Sequence, residues 1–341
     1  MTSTIPPTGT MNLPLTKPKG WAKLRSRVLG LPILQIVVLL ALALWLVITV
    51  PGITAPVSII SILMLASLLA FAAMGQTLVV ILGGLDLAIP GYIIVGAFVA
   101  SNLAGGAGWP AWLAALVTVS VCGGVGAFVG FVSYRYTIQP LVLTLGVSAA
   151  LSGGTLFLAD SDLSWSPPDS MRQLTGITNS TFGIPVPPLI VIVIVLSILM
   201  WLFLTRSATG RRLFATGTNA RAAGLTRIRT GTVWSSVFAV SGISAGLAGM
   251  LLASFTSGWS ANIGEPYLFT GLAAVLLGGT TFGSIRGSYT RTVLGALILT
   301  LLSTIVVSNG MSDGQSRIIY GLVIIGVLVI YGRERHVRDR F

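Results

Sequence analysis

Gly83-Gly84-Leu85-Asp86-Leu87-Ala88-Ile89-Pro90-Gly91 interrupts an apolar run that extends from residue 76 to residue 104. Paired glycines and a proline disfavour a continuous helix, so Gly83, Gly84 and Pro90 predict a structural break. Irregular backbone is tolerated at membrane depth only where protein or a water-filled cavity surrounds it. The stretch therefore predicts one broken helix over residues 76–104, with two halves that meet inside a membrane.

The composition of the chain independently indicates a membrane protein. Hydrophobic residues make up 54% of the 341 residues, charged residues make up 8%, and the mean hydropathy is +0.94. No water-soluble fold of this length could bury so much apolar surface. About 20 apolar residues cross a hydrocarbon core, which predicts an all-α, polytopic integral membrane protein of about ten transmembrane helices. The spans fall near 31–50, 56–74, 76–104, 111–133, 139–158, 187–205, 232–256, 265–282, 292–309 and 316–332. Two full crossings by residues 76–104 would make eleven.

The basic residues segregate when ten spans are assumed. Only Arg172 and Arg317 fall on one side. Cytoplasmic loops carry the excess of Lys and Arg, so the other side is predicted to be cytoplasmic. That side holds the N-terminal tail (Lys17, Lys19, Lys23, Arg25, Arg27), Arg135, the 206–231 loop, Arg286, Arg291 and the C-terminal tail (Arg333, Arg335, Arg338, Arg340).

The same segregation predicts the organisation of the chain. A transmembrane domain over 30–332 follows a disordered basic tail over 1–29 and precedes a basic tail over 333–341, with both tails in the cytoplasm. Residues 159–186 form a loop on the outer side, and residues 206–231 form a cytoplasmic loop. The net charge of +12 then reflects topology, and no nucleic-acid partner is expected because no basic patch alternates with aromatic residues on a soluble domain.

Several kinds of site are excluded by the residues that the chain lacks. Its only lysines are in the N-terminal tail, so no glycine-rich loop ends in the Lys-Ser/Thr pair that binds nucleotide phosphates. The eight acids are scattered, so no catalytic residues are predicted. The single His336 does not make a metal site, and the single Cys122 excludes a disulfide within one chain.

Small residues provide a packing signal between spans. Gly126-xxx-Gly130 and Gly242-xxx-Gly246 fit the spacing that lets two helix backbones approach closely in lipid. These pairs predict helix–helix contacts.

Four blocks of sequence, in order, resemble a known family. Gly75-Gln76-Thr77-Leu78-Val79-Val80-Ile81-Leu82-Gly83-Gly84-Leu85-Asp86-Leu87 is similar to the hallmark of membrane permease subunits of bacterial ATP-binding cassette (ABC) importers for monosaccharides of the ribose, xylose and arabinose type. Gln139-Pro140-Leu141-Val142-Leu143-Thr144-Leu145-Gly146 resembles the family's Pro-Phe-Ile-x-Thr-Leu-Gly. Residues 210–223 resemble its cytoplasmic Gly-Arg-x-x-x-Ala-x-Gly-x-Asn-x-x-Ala-Ala loop, and Val275-Leu276-Leu277-Gly278-Gly279-Thr280-Thr281 resembles its second-half Gly-Gly-Thr-Ser.

The resemblance implies an inner-membrane permease that translocates a monosaccharide and works as a homo- or heterodimer. ATP and Mg²⁺ would be bound by a separate cytoplasmic ATPase, so this chain is expected to carry no cofactor. A periplasmic or lipid-anchored binding protein would deliver the sugar. Two alternatives stay open: an ABC permease for branched-chain amino acids or nucleosides, and an ion-coupled secondary transporter. The latter needs intramembrane charges beyond the single acid Asp86.

The resemblance also implies that the 206–231 loop couples the permease to the ATPase. Asn219 is a good N-cap for a short helix, with Gly217 and Gly224 as breakers on either side. A small alanine face could enter a groove on a partner; the plainer interpretation is that the arginines only set topology. The predicted coupling residues are Gly210, Arg211, Arg212, Ala215, Gly217, Asn219, Ala222 and Ala223.

Asp86 has two interpretations. It caps the half-helix that begins near Leu87, or it contacts substrate, because broken helices commonly line transport pathways. A sugar pathway needs polar groups beside apolar surface, and each candidate could equally bond a neighbouring helix. The candidate pathway residues are Gln76, Asp86, Tyr92, Asn102, Thr144 and Asn262.

Overall fold

A computed structural model describes residues 32–160, 162–283, 287–312, 314–316, 318–323 and 325–326. Both predicted tails, Arg286, Arg317 and much of the predicted last span lie outside these residues. The helices are α1 (Ile33–Thr49), α2 (Pro56–Leu82), α3 (Ile89–Phe98) with a π-helical continuation (Val99–Gly106), α4 (Ala111–Tyr136), α5 (Pro140–Leu158), α6 (Asp169–Thr175), α7 (Pro188–Arg206), α8 (Ala208–Thr218), α9 (Ala220–Leu225), α10 (Thr230–Thr256), α11 (Glu265–Leu277) and α12 (Tyr289–Ser308).

The prediction of an all-α membrane protein is confirmed. In the described ranges, seven helices are long and apolar enough to cross a membrane, counting α3 with its π-helical continuation. Two shorter apolar helices, α1 and α11, accompany them. The only β-structure in the described residues is an isolated bridge between Thr181 and Ile184 in the predicted outer loop.

The break in the chain lies where the glycines and the proline predict it. Gly83 has φ of 94°, a left-handed conformation that ends α2, and its N–H donates to the Val80 carbonyl at 3.0 Å. Pro90 lies in the first turn of α3, where its missing N–H leaves no helical bond unmade. Residues 83–88 therefore form a non-helical link between two helices.

The predicted boundary at residue 76 is wrong. Gly75 is inside α2, so the predicted span 56–74 and the first half of the predicted broken helix are one continuous helix. The Gly75 N–H lies 3.2 Å from the Ser244 hydroxyl of α10, and a Cβ on Gly75 would overlap the Ser241 backbone. Gly75 thus serves close helix packing instead of helix termination.

The contact between α4 and α10 confirms the glycine packing prediction. A Cβ added to Gly126 would overlap the Phe238 carbonyl oxygen, and one added to Gly242 would overlap the Cys122 carbonyl oxygen. Gly130 packs in the same way against Trp234, and Gly246 against the Cys122 side chain. Small residues on both helices bring the two backbones together, which is how helices associate in lipid.

The two large loops lie at opposite ends of α3. Gly217 of the 206–231 loop packs against Ile81, next to the break that precedes α3. Asn102, in the π-helical end of the same helix, donates from Nδ2 to the Asp162 carbonyl of the 159–186 loop at 3.2 Å. From the start of α3 at Ile89 to Asn102 the chain rises through about 13 helical residues, or roughly 20 Å. The helix bundle therefore keeps the two loops apart.

Candidate functional site

The 206–231 loop folds into a pair of short helices, α8 and α9, hereafter the α8–α9 hairpin. Ser207 caps α8, because its hydroxyl accepts from the Gly210 N–H at 2.8 Å. Asn219 caps α9, because its Oδ1 accepts from the Ala222 N–H at 3.0 Å. The predicted capping role of Asn219 is confirmed. Both helix starts thus have a side-chain acceptor for an otherwise unbonded N–H.

The prediction that Gly217 and Gly224 break the helices of this loop is wrong. Gly217 lies inside α8, and Gly224 lies inside α9. The chain between the two helices is a single residue, Asn219, whose extended backbone (φ −158°, ψ 98°) changes the direction of the chain. Gly217 is required for a close backbone contact, which the sequence pattern does not reveal.

The predicted coupling residues divide into exposed and inward-facing groups. Gly210 and Ala223 are buried in the hairpin. Ala215 and Gly217 are half-buried. The exposed members are Arg211, Arg212, Asn219 and Ala222.

A shallow apolar groove runs between α8 and α9. Its lining consists of Phe214, Ala215, Thr218, Asn219, Ala222, Ala223 and Thr226. Beside it, Leu225 ends α9 with 89% of its surface exposed. Leu225 is not among the predicted coupling residues; the signal that could have found it is a leucine placed among the polar and basic residues Gly224, Thr226 and Arg227. An exposed leucine next to an apolar groove is a surface suited to protein contact.

The charged side chains of the hairpin are all positive. Arg211, Arg212 and Arg221 are exposed on the hairpin, and the sequence contains no acid between Asp169 and Glu265. The surface therefore complements an apolar knob with an acidic rim on a partner.

The break at residues 83–88 is the second part of the site. The Asp86 carboxylate accepts from the Ala88 N–H at 2.9 Å, and the Leu87 N–H donates to Thr144 Oγ1 of α5 at 3.1 Å. Ala88, not Asp86, occupies the N-cap position of α3. Asp86 therefore accepts a backbone N–H bond just before the helix, which is close to the predicted capping role but two residues before the N-cap.

Asp86, Tyr92 and Ser241 form a buried polar cluster. The Ser241 hydroxyl and the Tyr92 ring both lie near the Asp86 carboxyl. In the described part of the chain, Asp86 Oδ2, Tyr92 Oη and Ser241 Oγ have no hydrogen-bond partner with good geometry. Buried oxygens without a hydrogen bond are uncommon because each costs free energy. The cluster is therefore an energetically costly group of polar atoms inside the bundle.

The structure brings only part of the predicted pathway set together. Asp86, Tyr92 and Thr144 meet around the break. Gln76 is fully buried in α2, and neither polar atom of its amide has a partner in the described residues. Asn102 instead bonds the 159–186 loop. Asn262 is exposed on a loop whose Gly264 packs against Pro90.

No metal centre occurs among the described residues, since no group of three or more His, Cys, Asp or Glu side chains lies together.

Comparison with known proteins assigns the chain to a family. Residues 58–328 match the family model of the branched-chain amino acid transport system / permease component. The chain belongs to this family. It is 28% identical over 266 residues to the D-allose transport system permease protein of Escherichia coli, with 78% of each chain covered. It is 28% identical to the ribose import permease protein of Bacillus subtilis, over 84% of this chain and 87% of that protein. It is 30% identical to an autoinducer 2 import system permease protein of Yersinia enterocolitica, over 81% and 76%. No solved structure matches significantly.

Family membership confirms the resemblance to ABC importer permeases. The chain is a multi-pass membrane transport subunit and not an enzyme, since the matched proteins are permease components. Proteins of this kind work with a separate ATPase and a substrate-binding protein.

Proposed function

We propose that the chain is the membrane-spanning subunit of an ABC importer that carries a monosaccharide, such as a ribose-like pentose, across the bacterial inner membrane. The observation that carries the proposal is the match, over about four-fifths of the chain, to permeases named for D-allose and ribose import. A separate ATPase binds ATP and Mg²⁺, and this chain holds no cofactor of its own.

The α8–α9 hairpin is the proposed ATPase contact. Its groove, the exposed Leu225 and the surrounding arginines together favour docking over a purely topological role, because a topology signal needs neither a groove nor an exposed leucine. The partner surface would present an apolar side chain to the groove and acids to the arginines. With this hairpin in the cytoplasm, the 159–186 loop faces the binding protein on the outer side.

The sugar pathway is proposed to pass the break at residues 83–88, with a second permease copy completing it. Around the break, the buried side chains of Asp86, Tyr92 and Thr144 lie beside apolar helix surface, the combination that sugar passage needs. Gln76, Asn102 and Asn262 stay candidates at other levels of the bundle.

Docking is tested by placing a charge in the groove or beside it. Ala222→Glu and Leu225→Glu are both at exposed positions, so the helix bundle should still insert. The partner ATPase and binding protein would be co-expressed with the permease. We expect each variant to lower co-purification of the ATPase about tenfold or more, because an acid beside the groove repels an acidic rim and desolvates poorly.

Ala208→Glu is the matched control for this experiment. Ala208 is exposed in the first turn of α8, where an acid is favourable, and it lies outside the groove. It should retain the ATPase. If all three variants retain the partner and support wild-type uptake, the hairpin is only a topology signal.

The cargo is tested in vesicles reconstituted with permease, ATPase and binding protein. We expect ATP-dependent uptake of radiolabelled D-ribose or D-allose, and none of L-leucine. Uptake of L-leucine alone would refute sugar transport and indicate a permease for branched-chain amino acids, the cargo that the family description names.

A further inference from the structure

Three backbone segments meet at the end of α2. A Cβ added to Gly83 would lie 3.7 Å from the Gly283 nitrogen and 4.0 Å from the Gly217 carbonyl oxygen. The Gly283 N–H donates to the Val80 carbonyl at 3.0 Å, the same oxygen that accepts from Gly83. We call the meeting point of Gly83, Gly217 and Gly283 the glycine junction.

Gly217 brings the α8–α9 hairpin into this junction. A Cβ at this position would overlap the Ile81 carbonyl oxygen and lie 3.1 Å from the Leu82 Cα. Its neighbours are backbone atoms, which cannot rotate away as a side-chain tip can. The hairpin and the end of α2 are therefore in direct backbone contact.

The junction joins both halves of the chain. In the first half, α2 ends in Gly83-Gly84, and the link that follows is held to α3 by Asp86 and to α5 by Thr144. In the second half, α11 ends before Gly278-Gly279, and the segment after it reaches Val80 through Gly283. In each half, the segment that follows a helix ending at glycine therefore reaches the glycine junction.

We propose that Gly217 is a positioning residue through which movement of the docked ATPase reaches both helix ends. The inference rests on the proposed docking role of the hairpin. Backbone atoms in van der Waals contact leave no free space, and close-packed interiors transmit displacement. A shift of α8 therefore moves the end of α2, and with it the link that precedes α3.

Gly217→Ala tests the proposal. The added methyl group forces α8 and α2 apart by about 1 Å to restore an ordinary contact distance. Gly224→Ala is the matched control, because it adds a methyl group to the same hairpin at a glycine with no atom within 4 Å of the new Cβ. The measurements are co-purification of the ATPase, and the ratio of D-ribose or D-allose imported to ATP hydrolysed in vesicles.

We expect Gly217→Ala to retain the ATPase while this ratio falls roughly 2- to 30-fold, the range for residues that carry coupling between sites. Gly224→Ala should keep the wild-type ratio. A merely structural role of Gly217 would lower protein level and leave the ratio per inserted molecule unchanged, which would overturn the proposal.

A second variant covers the case in which Gly217→Ala fails to accumulate. At Gly83 an added Cβ has space, but its φ of 94° is unfavourable for alanine, so Gly83→Ala alters the junction without steric overlap. A wild-type ratio in this variant equally overturns the proposal. If the wild-type permease does not co-purify with the ATPase, the proposed docking role is refuted instead.

Discussion

Asp86 gives the sharpest test of how the break is built. Its carboxylate accepts from the Ala88 N–H at 2.9 Å, and the side chain is fully buried. In Asp86→Asn the amide oxygen can accept the same bond, so we expect stability and uptake per inserted molecule close to wild type. In Asp86→Leu the buried Ala88 N–H loses its acceptor, at a cost of about 1–3 kcal/mol, or roughly 5- to 150-fold in the folding equilibrium.

The assay compares protein level, thermal unfolding of the purified permease in detergent, and sugar uptake per inserted molecule. Asp86→Leu should lower the first two, whereas Asp86→Asn should not. Asp160→Asn, in the exposed outer loop, is the control for removal of a carboxylate. If Asp86→Asn inserts and unfolds like wild type but transports nothing, the carboxylate charge acts on substrate or on a proton, and the structural interpretation is refuted.

Two further predictions concern topology and packing. In a Cys122→Ser background, an impermeant thiol reagent applied to intact cells should label Phe182→Cys, whose parent side chain is 97% exposed, and should not label Thr218→Cys. The reverse labelling pattern would show that the predicted orientation is wrong. Gly126→Ala should lower the free energy of unfolding of the permease by about 1–3 kcal/mol, and with it the amount in the membrane, because the new methyl group overlaps the Phe238 carbonyl. Gly124→Ala, with no atom near its new Cβ, should lower neither. Equal stability of the two variants would contradict the packing argument.

Local signals predicted the break, and long-range packing explains where the prediction failed. Gly83 and Pro90 act through their own backbone preferences, so the sequence pattern is sufficient to place the link between α2 and α3. Gly75 has the same residue type but stays helical, because α10 packs directly against it. A glycine that breaks a helix and one that permits close packing look alike until the partner helix is known.

The hairpin shows the same limit on a smaller scale. The Asn219 cap depends on a bond over three residues and was predictable. The burial of Ala223 and the contact between Gly217 and Ile81 depend on residues far away in the sequence. The amide groups of Asn102 and Asn262 make them candidates in the sequence, but their positions are set by the 159–186 loop and by the contact of Gly264 with Pro90.

The arginines of the hairpin illustrate why topology and docking are compatible functions of one surface. A chain with 8% charged residues keeps its charges out of the lipid, so its basic residues gather at helix ends, where they fix orientation. Once gathered, and with no acid between Asp169 and Glu265 to neutralise them, they also form a positive rim. Orientation alone would be satisfied by arginines on any flexible loop. The capped helices, the groove and the exposed Leu225 add a fixed shape to that charge, which the proposed docking role explains and orientation alone does not.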